Sequence, residues 1–498
     1  MLLLFKNQKS ILTVVQIMDI KDKTLFRTEV YINGQWITKS DSFKVYNPYN
    51  GEEIANVSDC DDNDMKSAIE AADKAFKIWS GYTANKRSRI LQSWYKLIME
   101  NAADLAHILT VEQGKPLAEA MGEIKYGASY IEWFAEEAKR VYGDVIPGNS
   151  RKNRITIIKQ PVGVVGAITP WNFPSAMISR KIAPALAAGC TVVVKPSEYT
   201  PLSAMALAEL ASRAGFPDGV INIVPSNNAA SVGQVMTSHP RVKKISFTGS
   251  TRVGKLMLKQ SADTVKKVTL ELGGNAPFIV FADADIDAAV EGCFVSKFRN
   301  GGQTCVCTNR IFLHESIHDE FVEKFTDKVK NIKAGYGLDE GVQIGPMINE
   351  DAVKKDLDLI SDAKNKGATV KVGGKRTDGL FLAPTVVCDL DTSMEIFSSE
   401  IFGPIAAVYR FGSEGEVINL ANDTNYGLAS YFYGRDYALI WRVAEALEYG
   451  MVGINTGVTS NVATPFGGIK ESGFGREGSK YGIEDYLNIK YMCWDGVE

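Results

Sequence analysis

The sequence predicts an α/β protein built from two doubly wound parallel sheets and a small separate β segment. Three observations predict it. Beyond residue 160, short apolar β-type runs alternate with helix-length stretches; the alternation resumes after residue 275; and two strand-like stretches, 154–160 and 481–492, have no partner nearby in sequence. Strands buried on both faces and joined by helix-length crossovers make a parallel sheet covered by helices. A chain of 498 residues has room for two such units.

The elements follow in order. Apolar runs at 1–5 and 11–18 are interrupted by Lys6, Lys9 and polar residues. Neither reaches the ~18–20 residues of a membrane span, and no small-residue cleavage site follows. Residues 1–28 are therefore expected to be a loose extension, and the protein cytoplasmic. Residues 62–141 read as mostly helical, with Met65, Ile69, Ala72, Phe76 and Trp79 at helical spacing. Strands are expected at 162–168, 191–194, 220–224 and 244–247, with helices at 175–188, 202–214 and 229–237. The second unit places strands at 276–281, 310–313, 405–411 and 427–433, and helices at 284–298, 316–332, 350–365 and 436–448. The two stray strands pair with each other or with another subunit, because exposed edges usually have to be covered. No fixed-period repeat or low-complexity tract is present.

Composition excludes some functions. A hydrophobic share of 45% and a charged share of 23% are ordinary for a soluble globular chain. The net charge of −4 provides no basic stripe, so neither nucleic acid nor an acidic membrane is an expected partner. Seven scattered cysteines are not a disulfide framework. Cys305 and Cys307 lack the second cysteine pair of a zinc site, so no metal is expected. The remaining question is whether one thiol is a nucleophile.

Five segments bear on that question. Phe247-Thr-Gly-Ser-Thr-Arg-Val-Gly254 joins an expected strand to an expected helix. Alone it is either a tight turn or a phosphate cradle at a helix N-terminus. Lys195-Pro-Ser-Glu198 follows a strand, where open α/β sheets bind ligands; it is either a solvated pair or a clamp for ribose hydroxyls. Arg299-Asn-Gly-Gly-Gln-Thr-Cys305-Val-Cys307 puts a thiol after a double-glycine loop. One cysteine in such a loop is more often a small buried hydrophobe than a nucleophile. Thr169-Pro-Trp-Asn-Phe-Pro174 fixes the Asn172 amide between prolines, as an oxyanion requires. Glu271-Leu-Gly-Gly274 offers a carboxylate followed by glycines that let the chain pass close to a ligand.

Together these segments resemble the aldehyde dehydrogenase superfamily. The resemblance runs from about residue 31 to the C-terminus and rests on segments 169–174, 195–198, 247–250, 271–274, 302–305, 400–404 and 465–468, all in the expected order. Within the superfamily the chain is most similar to succinate-semialdehyde dehydrogenases. The segment 298–309 and the tail Gly475-Arg-Glu-Gly-Ser-Lys-Tyr-Gly-Ile-Glu-Asp-Tyr486 carry that similarity.

The resemblance implies a division of labour. Residues 29–140 and 161–273 are expected to form the dinucleotide-binding domain and 274–477 the catalytic domain. Residues 141–160 and 478–498 then form the oligomerisation segment of a homodimer or homotetramer. Cys305 is the expected nucleophile, Asn172 with the Cys305 backbone N–H the oxyanion hole, and Glu271 the base that hydrolyses the thioester. Ile168, Trp171, Lys195, Ser197, Glu198, Gly249, Ser250, Leu272, Glu400 and Phe402 are the expected cofactor contacts. Glu198 accepts from the ribose hydroxyls of NAD and repels the 2′-phosphate of NADP, so NAD is the expected preference, with NADP possible. Arg180, Arg299 and Ser460 match the positions that hold the distal carboxylate of succinate semialdehyde; as structural ion-pair partners the two arginines would have no such role.

Cys307 resembles the partner thiol of a redox switch. On an extended chain, however, its Cα lies roughly 6.6 Å from that of Cys305, near the ~6.8 Å limit for a disulfide, so the loop must bend. The rival readings are a dehydrogenase of lactaldehyde, betaine aldehyde or another semialdehyde, a CoA-acylating member, and a catalytically silent scaffold.

Overall fold

The computed structural model describes residues 19–496. Two large sheets dominate. The first has eight strands, in the spatial order Gln35–Ile37, Val30–Ile32, Ile221–Ile223, Thr191–Lys195, Val164–Ile168, Val242–Thr248, Lys267–Glu271 and Gly473–Phe474. Its five central strands are parallel, and the outer ones antiparallel. Val164–Ile168 is the first central strand in sequence. From it the chain winds outward to Thr191–Lys195 and Ile221–Ile223, then returns to its other side at Val242–Thr248. The crevice where the winding reverses lies between the carboxyl ends of Val164–Ile168 and Val242–Thr248, the position at which such sheets bind ligands.

The second sheet has seven strands, ordered Thr369–Val372, Thr385–Cys388, Ile405–Phe411, Thr308–His314, Ala276–Val280, Ala429–Tyr433 and Met451–Ile454. All pair in parallel except the first two. The α/β architecture with two wound sheets and a small third one is thus the one expected. Each expected strand and helix of the two units is present, with ends shifted by a few residues.

Several elements went unread. Lys267–Glu271 is a central strand of the first sheet, and Thr385–Cys388 and Met451–Ile454 belong to the second. Each is only four or five residues long, too short for alternation to stand out. The antiparallel pair Ser42–Tyr46 and Glu53–Ser58 was also unread, although the first of these alternates exposed and buried residues. Residues 62–141 form four helices, Asp62–Trp79, Ala84–Glu100, Ala102–Gln113 and Leu117–Glu137.

The stray strands pair with each other. Arg154–Pro161 lies antiparallel between Leu487–Trp494 and Asp144–Pro147, with Leu487 opposite Pro161 and Trp494 opposite Arg154. The tail differs at its start: Glu484–Tyr486 is a short 3-10 turn, and the strand begins only at Leu487. Residues 1–18 of the expected extension lie outside the described residues. Residues 19–28 are not loose. Leu25 is fully buried, and the Lys21 and Asp22 N–H groups donate to Asp104 at 2.9 and 2.8 Å. Among the described residues no helix is long and apolar enough to cross a membrane.

Candidate active site

A cavity of about 290 Å³ opens at the reversal point of the first sheet and against the edge of the second. Three loops wall it. The first leaves Val164–Ile168 and brings Trp171, Asn172 and Phe173. The second leaves Val242–Thr248 with Gly249 and Ser250. The third descends from helix Ile286–Phe298 through a turn that carries Arg299, Thr304, Cys305 and Val306. Arg180, Leu272, Glu400, Phe402 and Ser460 also line it. Of the residues expected to share a site, Cys305, Asn172, Arg180, Arg299 and Ser460 meet here from loops far apart in sequence, and Glu271 does not line the cavity.

Cys305 is partly accessible while its neighbours Thr304 and Val306 are buried. Burial pushes its thiol up to about 12; the Arg180 guanidinium opposes this, while Glu400 and Glu271 add to it. The turn packs tightly against the chain beneath. A Cβ on Gly274 would collide with the Cys305 carbonyl, and one on Gly273 would meet a Glu400 carboxylate oxygen at 2.8 Å. The two glycines after Glu271 thus make room for the neighbouring loops themselves.

The Asn172 amide donates to the Gln303 carbonyl at 3.0 Å, two residues before Cys305. A side-chain amide has two N–H donors, so one remains for an oxygen in the cavity. The Asn172 backbone carbonyl accepts from Lys115 Nζ at 2.7 Å and from Asn300 Nδ2 at 3.1 Å. Glu271 stands apart. It closes strand Lys267–Glu271 and is buried, both carboxylate oxygens are without a hydrogen-bond partner, and it does not line the cavity as Leu272 and Gly273 do. Burial first, and then the charge of Glu477, hold its carboxyl well above the ordinary range against the pull of Arg180 and Lys181.

Arg180 is held from one side, although its Nε and Nη2 make no hydrogen bond. It pairs with Glu477 at 2.7 Å and its guanidinium sits 3.8 Å from the centre of the Phe466 ring. Lys181 pairs with the other Glu477 oxygen at 2.6 Å. Burial works to raise the Glu477 carboxyl, but Lys181 and Arg180 hold it below its usual range. Glu477 lies inside the tail that carried the family resemblance, yet nothing in its spacing marks it as a partner of Arg180. Arg299, by contrast, has no carboxylate within ion-pair distance among the described residues and lies 4.9 Å over the Phe173 ring.

The expected cofactor contacts divide into two groups. Trp171, Gly249, Ser250, Leu272, Glu400 and Phe402 line the cavity. Ser250 caps helix Thr251–Ser261, and the Trp171 and Phe402 rings meet edge to face at 5.7 Å. Glu400 accepts the Gly274 N–H at 2.9 Å, and Lys355 holds the Glu400 and Ile401 carbonyls at 2.5 and 3.1 Å. Ile168, Lys195, Ser197 and Glu198 lie outside this cavity, along the same carboxyl edge of the sheet; Lys195 pairs with Glu198 at 2.9 Å. A helix N-terminus and a lysine–carboxylate pair on one sheet edge, faced by the Glu400 carboxylate from the second unit, fit a dinucleotide. Cys307 does not line the cavity: its thiol donates to the Ser296 and Lys297 carbonyls at 3.1 and 2.9 Å.

Residues 36–492 match the model of the aldehyde dehydrogenase family. The chain is 56% identical to a glutarate-semialdehyde dehydrogenase of Pseudomonas putida, over 96% of this chain and 99% of that one. It is 55% identical to an NADP(+) succinate-semialdehyde dehydrogenase of Escherichia coli, again over 96% and 99%. The crystal structure of succinate-semialdehyde dehydrogenase from Burkholderia pseudomallei superimposes with a TM-score of 0.94 at 55% identity, covering 95% of this chain and 99% of that one. The chain therefore belongs to the aldehyde dehydrogenase family, as an NAD(P)-dependent enzyme closely related to the succinate- and glutarate-semialdehyde dehydrogenases.

Proposed function

We propose that the enzyme oxidises the semialdehyde of a dicarboxylic acid, succinate semialdehyde first among them, through a thioester on Cys305. The observation that carries this reading is the convergence of Cys305, Asn172 and an unpaired Arg299 on one cavity. The thiol adds to the aldehyde carbon once its proton is removed, and the free N–H of Asn172 meets the oxyanion that forms. Such a donor typically contributes about 2.7–4 kcal/mol to lowering the barrier. A bound nicotinamide supplies the acceptor for the two electrons removed at that carbon. Glu271 then takes a proton from the water that attacks the thioester, a role that suits a carboxyl with a raised pKa. Its oxygens, free of hydrogen bonds, leave it able to swing toward the thioester. Hydrolysis by this base sets the reading apart from CoA acylation.

Residues 29–140 and 161–273 serve in this reading as the dinucleotide-binding domain and 274–477 as the catalytic one, with Gly473–Phe474 stitched back into the first sheet. Arg299 and Ser460 carry the grip on the distal carboxylate, since Arg180 already answers to Glu477. Arg180 then sets the positive field of the cavity rather than a two-point grip. Glu198, a third exposed and paired with the nearly buried Lys195, favours NAD by accepting from ribose hydroxyls and repelling a 2′-phosphate.

Turnover with succinate semialdehyde, glutarate semialdehyde and an uncharged aldehyde, each with NAD and NADP, tests the reading. The first two differ by one methylene, which a pocket separates by only about 10–200-fold. The uncharged aldehyde should fall well behind both. Arg299→Ala should erase that gap, and Glu198→Ser should move the cofactor ratio toward NADP. Selectivity unchanged in Arg299→Ala would remove the substrate assignment; clear NADP preference in the native enzyme would remove the role given to Glu198.

A further inference from the structure

Lys115 is wholly buried, and it belongs to no loop of the cavity. Its ammonium has three donors and no acceptor, and each side of it is occupied. It pairs with Glu123 at 2.7 Å, donates to the Asn172 carbonyl at 2.7 Å, and sits 3.8 Å from the centre of the Phe173 ring. Glu123, also buried, uses its other oxygen to accept the N–H groups of Ser175 and Ala176 at 2.9 and 3.1 Å. One ion pair thus grips four of the five residues from 172 to 176 by carbonyl, ring and two N–H groups.

The grip is itself anchored. Lys115 stands just before helix Leu117–Glu137, and Glu123 lies in that helix. The Lys115 N–H donates to Gln113 Oε1 at 3.0 Å, and Leu117 N–H to the Gly337 carbonyl at 2.8 Å. Preceding it, Gly114 is in the left-handed region at φ 94°, where a Cβ would meet Pro48 and Pro346 at 2.9 Å. A strap locked at both ends therefore holds the loop that presents Asn172.

We propose that Lys115, with Glu123, is a positioning residue for the oxyanion hole: it fixes the Asn172 backbone so that the side-chain amide stays aimed at the oxygen that becomes the oxyanion above Cys305. The inference rests on the reading of Asn172 as an oxyanion donor. A preorganised donor loses most of its value when displaced by about 1 Å. Among the described residues only two hydrogen bonds then remain on Asn172, from Asn300 to its backbone carbonyl and from its side-chain amide to Gln303. Phe173, on the same grip, also carries the Arg299 guanidinium on its ring.

A double-mutant cycle between Lys115→Met and Asn172→Ala tests it, with the melting temperature of each variant recorded. Methionine retains the length of the side chain without its charge. Asn172→Ala should lower kcat by about 10²–10³-fold. Lys115→Met should lower kcat by about 10–100-fold, and should add less than about threefold in the Asn172→Ala background, because both act through one donor. A merely structural role would lower the melting temperature and leave kcat below it intact, or multiply with the Asn172 loss; either result overturns the clamp. Should Lys115→Met fail to fold, Glu123→Gln breaks the same pair while retaining an acceptor for the loop N–H groups, and carries the same expectation. Full turnover in Asn172→Ala would instead defeat the reading of Asn172 itself, and the clamp with it. A crippled Asn172→Ala beside a folded and fully active Lys115→Met defeats the clamp alone.

Discussion

At the residue scale the site is defined by which polar atoms lack partners. Glu271 is buried with neither a hydrogen bond nor an ion pair on its oxygens, whereas those of Glu477 lie in ion pairs with Lys181 and Arg180. That asymmetry decides which carboxylate keeps a proton: the bare one is raised and the paired one lowered. An acid with a raised pKa becomes a base only as pH climbs, so hydrolysis of the thioester should speed up with pH until Glu271 is ionised. Glu271→Gln should therefore retain a single burst of NADH and lose about 10²–10⁴-fold in steady turnover, with the burst amplitude close to one per active site by stopped flow. An equal loss of burst and turnover would assign Glu271 to the acylation step instead. Cys305, Asn172 and Glu271 stand out in the sequence because each lies within three residues of a glycine or proline near a strand or helix end. Their partners were not. Lys115 is 57 residues from Asn172 and Lys181 is 296 from Glu477, separations over which periodicity and spacing carry no information.

At the scale of elements, local geometry revises one expectation drawn from an extended chain. Residues 304–307 form a turn closed by the Cys307 N–H on the Thr304 carbonyl at 3.0 Å. A turn brings Cα atoms two apart well inside the disulfide range, so distance along the chain is no obstacle to a Cys305–Cys307 bond. The obstacle is the Cys307 thiol itself, which must leave the Ser296 and Lys297 carbonyls. Both thiols are free in this structure. Were such a switch to operate, peroxide would oxidise the Cys305 thiolate to a sulfenic acid, and the Cys307 sulfur would displace water from it to close the disulfide. Native enzyme treated with peroxide should then lose two hydrogens by intact mass and recover activity with dithiothreitol. Cys307→Ser should instead go on to irreversible oxidation; equal recovery in the variant would rule the switch out. Secondary structure was legible where runs were long and apolar, as in Ile405–Phe411, which has the expected bounds. It was hidden in Lys267–Glu271, where charged ends flank three apolar or β-branched residues.

At the scale of the whole molecule the third sheet is the feature without a place inside one chain. The two large sheets are covered by helices and loops, but Leu487–Trp494 and Asp144–Pro147 form the two open edges of a three-stranded ribbon. Ile489 and Tyr491 are more than 70% exposed, and Val145 is 78% exposed. Residues two apart on a strand share a face, so Ile489 and Tyr491 form an apolar strip beside an unpaired row of backbone donors and acceptors. Such edges are a liability unless another chain covers them, and a second copy would supply a strand of matching length and character. The strand's first residue, Leu487, is buried at the root of the ribbon, and its carbonyl accepts at 2.6 Å from Nζ of Lys267, the first residue of the strand that ends in Glu271. The ribbon is thereby tied to the sheet that bears the site. The native protein should be a dimer or tetramer by light scattering, and Ile489→Asp with Tyr491→Asp should shift it to smaller species. A charge on that strip must be buried without a partner in the assembly, at several kcal/mol per site, while costing almost nothing on a free surface. Monomers of the double variant should retain the cavity and bind NAD, since no residue lining it comes from the ribbon. A native protein that is already monomeric at micromolar concentration would overturn the assignment of this edge.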